Sequence, residues 1–310
     1  MHRKSKAMTD KVCFIILHYG DTQEITKKAI QSIKNLPFNG TVDIIVVCNG
    51  KQYDISSDVC LDAETLVLEK NEGFSKGNNA GYIYAKERDD YDFIIIINND
   101  IFIEQTDFLE KLYKLYAVHP FFVAGPDIYI PFIDIHTSPL RKEIPTVDQI
   151  KEDLKYLYKS RLEFEKYFTL KTFRSYISES YKNRDKFAFF FSLYRKIKKN
   201  NVDYKGIQEN VVLHGSCLIF SRDYISINDK AFEPEVFLYT EEDYLTIRCK
   251  KNNWKIVYSD DLQVNHIEQV STGITNLSYR DFCQNKVKNI KVRIKAHEQL
   301  KSYIEVNCND

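Results

Sequence analysis

Residues 93–100 read FIIIINND. Phe93 to Ile97 form an unbroken apolar run of strand length, with no polar residue to mark a solvent-facing side. Such a run suits a strand covered on both faces, as in a parallel sheet flanked by helices. It ends abruptly in Asn98-Asn99-Asp100, which puts a carboxylate at the carboxyl edge of the sheet. Ligands of open α/β sheets bind at that edge. A hard divalent cation there can bridge Asp100 to a diphosphate. An ordinary Asn/Asp turn is the other reading of the same residues.

The surrounding sequence supports the sheet. Upstream, residues 12–17 (VCFIIL) and 42–48 (VDIIVVC) are apolar strands, and 65–69 (TLVLE) is a third. Between the first two, a helix is expected from about Asp21, with Glu24 three residues on as a capping box. Ile25, Ala29, Ile30 and Ile33 keep helical spacing, and Pro37 lies past the end. NEGFSKGNNAG (71–81) is a glycine-bearing turn opening a second helix, and 106–117 is a third. This alternation predicts an α/β fold: a mostly parallel central sheet with crossover helices on both faces.

Downstream, residues 134–210 break the rhythm. Segment 151–200 holds 14 Lys and Arg against 6 Asp and Glu, and 13 Phe or Tyr, among them Phe187, Phe189, Phe190 and Phe191. It reads as a mainly helical insertion. The alternation resumes at 211–220 (VVLHGSCLIF), followed by a capped helix near Thr240, a strand over 254–258 and His266 after a further short strand. Residues 278–305 keep helical spacing. The expected organisation is one domain over 1–275, with the insertion inside it, and a helical tail over 276–310.

Three further stretches carry candidate chemistry. Gly73, Gly77 and Gly81 allow tight turns and close backbone approach, and a helix N-terminus favours an anion. Neither G-K-[ST] nor G-x-G-x-x-G is present. In YTEEDYLTIR, Glu241, Glu242 and Asp243 crowd the first turn of a helix. Thr240-x-x-Asp243 reads as a cap; a carboxylate held there also suits a general base. His266 is a candidate ligand or a structural histidine, and His18, His119, His136 and His214 share that ambiguity. No Ser-His-Asp or Cys-His arrangement follows from spacing.

Composition narrows the class. In 310 residues, 44 Lys and Arg balance 44 Asp and Glu. A nucleic-acid binder normally carries a basic excess, so none is expected as partner. The cysteines number seven, with no C-x-x-C pair, which argues against a metal cluster or disulfide framework and suits a reducing cytoplasm. MHRKSKAMTD is basic, but no signal-peptide core follows it, and no apolar run approaches the roughly 18–20 residues that span a bilayer.

Taken in order, ILHYGD, NEGFSKGNNAGY, IIIINND, HGSCLIFSRD, FLYTEEDYLTIRCKKNNWKIVY and VNHIEQVST resemble family-2 glycosyltransferases of the GT-A fold. The resemblance is to the branch with bacterial rhamnosyltransferase-like and capsule or O-antigen enzymes. It frames residues 10–275 and is poor over 134–210. It implies transfer of a hexose or deoxyhexose from a nucleoside-diphosphate sugar to an acceptor hydroxyl, with inversion, in surface polysaccharide synthesis. It implies Mg2+ or Mn2+ at Asp100, the last acid of a DxD-type motif, with Asn98 and Asn99 beside it and His266 near the metal or diphosphate. His18 and Tyr19 would lie near the base, and Asn71, Gly73, Asn78 and Asn79 would line the donor pocket. Glu242 falls at the catalytic carboxylate, with Glu241 and Asp243 close enough to contest that role.

The chain departs from the family in two places. Val47-Cys48-Asn49 stands where the family often has Val-Asp-Asn, which puts base recognition by Asn49 and its neighbours in doubt. The DxD-type motif keeps only its last acid; Mg2+ tolerates this because it retains waters and takes diphosphate oxygens. A sugar nucleotidyltransferase is one alternative, although LHYGD lacks that class's Arg-containing Gly-rich signature. An inactive scaffold at the membrane surface is another. The insertion suggests peripheral contact with an anionic membrane face or a lipid-linked saccharide acceptor; a self-filled helical subdomain or a homodimer contact is the alternative.

Overall fold

The computed structural model describes residues 8–20, 22–55, 63–167, 169–182, 203–267 and 278–307. Asp21, Cys60, Cys308 and the aromatic run at 187–191 therefore lie outside the described residues. In chain order the elements are β1 (Lys11–His18), α1 (Gln23–Lys34), β2 (Thr41–Cys48), β3 (Glu64–Val67), α2 (Gly73–Arg88), β4 (Phe93–Asn98), β5 (Ile101–Phe102) and α3 (Phe108–Val118). They continue with β6 (Val123–Ile130), β7 (Ile135–His136), α4 (Val147–Glu165), α5 (Leu170–Lys182), β8 (Ile207–Glu209), β9 (Cys217–Ser221), α6 (Arg222–Ile227), α7 (Glu241–Lys251), β10 (Ile256–His266) and α8 (Tyr279–Asn307).

The strands form one sheet in the order β3-β2-β1-β4-β9-β6-β10-β5. The first four are parallel, and β6 is parallel to β10. β9 runs antiparallel between β4 and β6, so the sheet is mixed at its centre. Side-chain alternation along β1 explains the two layers. Val12, Phe14 and Ile16 pack with Ala29, Ile30 and Ile33 of α1 and Leu112 of α3. Cys13 and Ile15 face the other way, toward Tyr82 and Ala85 of α2 and Leu245 and Cys249 of α7. The apolar run Phe93–Ile97 is fully buried, as its lack of polar residues requires.

Several local expectations are corrected. α1 begins at Gln23 after Thr22, with no side-chain cap bond. The Thr240 cap also fails: Thr240 adopts a left-handed φ of 68°, and its side chain caps nothing. β6 was not expected, because Gly125 and Pro126 interrupt its apolar pattern. Pro126 is tolerated beside the register shift between Ser259 and Gln263 of β10, where ladder bonds are already lost. The expected strands at 254–258 and before His266 are this single irregular strand. α4 packs on α8, and both meet Val236, Tyr244 and Ile247 in a third apolar cluster. That gives the insertion and the tail a shared core.

Candidate active site

The carboxyl ends of β1, β2, β3 and β4 share one sheet edge. Because β9 is antiparallel to β4, its start lies there too: the Asn98 N–H donates to the Ser216 carbonyl at 3.0 Å. β10 ends at the same edge with His266 opposite Ile101 of β5. The turn after β4 therefore brings Asp100 to His266. Asp100 Oδ2 lies 3.2 Å from His266 Nε2, and the Ile267 N–H closes the turn on the Asp100 carbonyl at 3.0 Å.

Asp100 is buried, and its Oδ1 has no hydrogen-bond partner among the described residues. Leaving a buried carboxylate oxygen unpaired is costly, so the position suits a group that brings positive charge. Two ligands side by side on an octahedral ion of Mg2+ size stand about 3.0 Å apart, close to the observed oxygen–nitrogen separation. The carboxylate oxygen suits Mg2+ and Mn2+ alike, whereas the imidazole nitrogen is a softer donor. Among the described residues no group of three or more His, Cys, Asp and Glu is placed to hold an ion. The pair could therefore supply at most two protein ligands to an ion.

The acidic triplet opens α7 beside this pair. His214 and His266 have ring centroids 6.2 Å apart, and the next residue, Gly215, donates its N–H to Glu242 Oε1 at 3.2 Å. A Cβ on Gly215 would sit 2.7 Å from that oxygen, so a side chain there would push the Glu242 carboxylate aside. The three acids are not equivalent. Glu241 is buried, and burial together with the neighbouring Glu242 pushes its carboxyl well above the usual range. Glu242 is half-buried and raised by desolvation, with the Gly215 N–H and Arg141 opposing. Asp243 is buried and ion-paired to Arg141; burial raises its carboxyl and the guanidinium partly offsets this.

The residues expected around the nucleotide are placed as follows. Tyr19 is half exposed and meets Tyr53 edge-on at 4.8 Å. His18 is buried with Nδ1 2.8 Å from Thr26 Oγ1, and Asn99 donates to the hydroxyls of Thr22 and Thr26. Asn99 thus ties the Asp100 turn to α1. Asn98 is partly exposed at the edge. Asn49 clasps the entry to α2, donating to the Gly73 carbonyl at 3.0 Å and accepting from the Glu72 N–H at 2.9 Å. Asn71 accepts from the Gly73 N–H.

Asn79 is spent on the loop before α7, bonding both backbone groups of Phe232 and the Glu235 carboxylate. Asn78 donates to Phe74, while its buried Oδ1 has no partner among the described residues. Gly73 (φ +82°) lies so close to Phe237 that a Cβ would meet its carbonyl oxygen at 2.3 Å. Gly77 and Gly81 serve packing instead: a Cβ would strike Leu17 or Ile15 of β1. Sequence reading missed Arg141, Gly215 and Tyr53. Gly215 had a visible signal, a small residue entering a strand. Arg141 had none, lying 102 residues from Asp243.

No family model and no curated protein matches this chain. Among solved structures it is similar to S. aureus TarS residues 1–349, at 12% identity and a TM-score of 0.47, over 83% of this chain and 60% of that one. It is also similar to the mannosyltransferase PcManGT of Pyrobaculum calidifontis in complex with GDP-Man and Mn2+, at 11% identity and a TM-score of 0.45. That match covers 84% of this chain and 57% of the other. The chain therefore spans less than two thirds of the length of each of these two chains.

Proposed function

We infer that the chain transfers a sugar from a nucleoside-diphosphate sugar to an acceptor hydroxyl. The observation that carries this reading is the convergence, at one sheet edge, of the Asp100–His266 pair and the half-buried carboxylate of Glu242. Asp100 and His266 would hold Mg2+ or Mn2+, which when bound neutralises charge on the leaving diphosphate. The Tyr19–Tyr53 pair offers an aromatic surface for the nucleobase. Glu242, held by the Gly215 amide, takes the proton of the acceptor hydroxyl. Attack then comes from the face opposite the diphosphate, and the anomeric configuration inverts. The resemblance in sequence motifs favours a hexose or deoxyhexose donor and a growing surface polysaccharide as acceptor.

A second part of the reading concerns α5. Leu170, Phe173 and Ile177 are exposed at i, i+3 and i+7 spacing, with Lys171 and Arg174 nearby. Such a stripe suits contact with an anionic membrane surface, where a lipid-linked acceptor would be met. Among the described residues no helix is long and apolar enough to cross a membrane.

The test is calorimetry with UDP, dTDP and GDP, with and without Mn2+. At least one nucleotide should bind only with the metal, and Asp100→Ala should weaken it at least tenfold while thermal unfolding stays near wild type. Unchanged affinity in folded Asp100→Ala removes the metal assignment.

A further inference from the structure

One β-bridge positions two groups on the acidic triplet. Leu140 donates to the Val212 carbonyl and Val212 to the Arg141 carbonyl, both at 2.9 Å. From one side of this bridge the Arg141 side chain reaches Asp243. From the other, three residues beyond Val212, the Gly215 N–H reaches Glu242. The charged groups facing the triplet are Arg141 from the segment before α4, His297 from α8, and the three acids themselves. Glu241 makes no hydrogen bond through its buried Oε2 among the described residues.

We propose that Arg141 is the positioning residue of the triplet: it spends Asp243 on an ion pair and leaves Glu242 as the carboxylate that works at the sheet edge. This rests on the reading of Glu242 as base, but it makes a separate demand. Arg141 and Asp243 must act on Glu242 with opposite sign. The cation favours the Glu242 carboxylate, and the Asp243 anion disfavours it. A loss of overall stability alone would not move the Glu242 titration in opposite directions for the two partners.

The direct readout is the titration midpoint of Glu242 by 13C NMR of glutamate-labelled full-length protein, with the signal assigned by its loss in Glu242→Gln. Asp243→Asn should lower the midpoint and Arg141→Ala raise it, each by on the order of one pH unit or less. The double variant should lie between the two single variants. If Arg141→Ala fails to fold, Asp243→Asn and the double variant suffice, since the double must sit above Asp243→Asn. Midpoints that stay at the wild-type value, or a double variant no higher than Asp243→Asn, overturn the proposal. In the same proteins, Mn2+-dependent hydrolysis of UDP-, dTDP- or GDP-hexose should show its acid limb moving with the midpoint. Shifted midpoints without any hydrolysis would leave Arg141's role standing and reject the transferase reading instead.

Discussion

At the scale of single residues, the triplet shows how neighbours of one chemistry come to sit in different environments. Glu241 sits in the core beside another acid and favours its neutral form. A carboxyl raised in the fold destabilises the protein once pH exceeds the unfolded value of about 4.3. The sign is the reverse of an ion-paired acid: stability is fullest below that pH and is lost as the group is forced to ionise. Glu241→Gln, which keeps the shape without the charge, should therefore raise the melting temperature at pH 7.5. The gain should shrink toward zero near pH 4. Calorimetric melting across that range checks it, and a gain independent of pH would refute the assigned cause. The types and order of these acids were legible in the sequence. Their different surroundings were not, because Asp243 is paired with Arg141, brought in from 102 residues away.

Among the elements, α2 and α5 divide their residues differently between packing and exposure. The glycines of α2 allowed a tight turn or close backbone approach; Gly77 and Gly81 let the helix sit against β1 and β2, with Ile15 and Val47 near where a Cβ on Gly81 would be. Only Gly73 belongs to the turn, where its positive φ and contact with Phe237 admit no side chain. In α5 the inner side is Thr172 and Tyr176, packed on Tyr279 and Phe282; Phe173 touches Tyr279 edge-on but stays half exposed, and Leu170 and Ile177 lie outside. Part of the aromatic content of 151–200 does fill a core, as Phe164 does against Phe282; the stripe stays largely exposed. Full-length protein should sediment with liposomes containing anionic lipid at low salt. Binding should fall as salt rises, and Phe173→Asp should reduce it several-fold. Protein that stays in the supernatant with anionic liposomes at low salt rules out the membrane contact.

Across the whole molecule, the parallel half was readable because its strands are continuous apolar runs joined by periodic helices. Phe93–Ile97 and Val12–Leu17 leave no other way to bury their side chains. The antiparallel half was harder to read. β6 carries Gly125 and Pro126, and β10 is irregular between Ser259 and Gln263, so neither shows a clean period. The site spans both halves: β4 supplies the Asp100 turn, β10 supplies His266, and the approach to β9 supplies the amide that holds Glu242. The most direct test of this account compares turnover of nucleoside-diphosphate hexoses by wild type and Glu242→Gln, with Mn2+ present and with it chelated. The account predicts metal-dependent release of sugar by wild type. It predicts a fall in kcat of roughly 10²–10⁴-fold in Glu242→Gln, with nucleotide affinity little changed. Wild-type protein that releases no sugar, or Glu242→Gln that turns over at the wild-type rate, would contradict it.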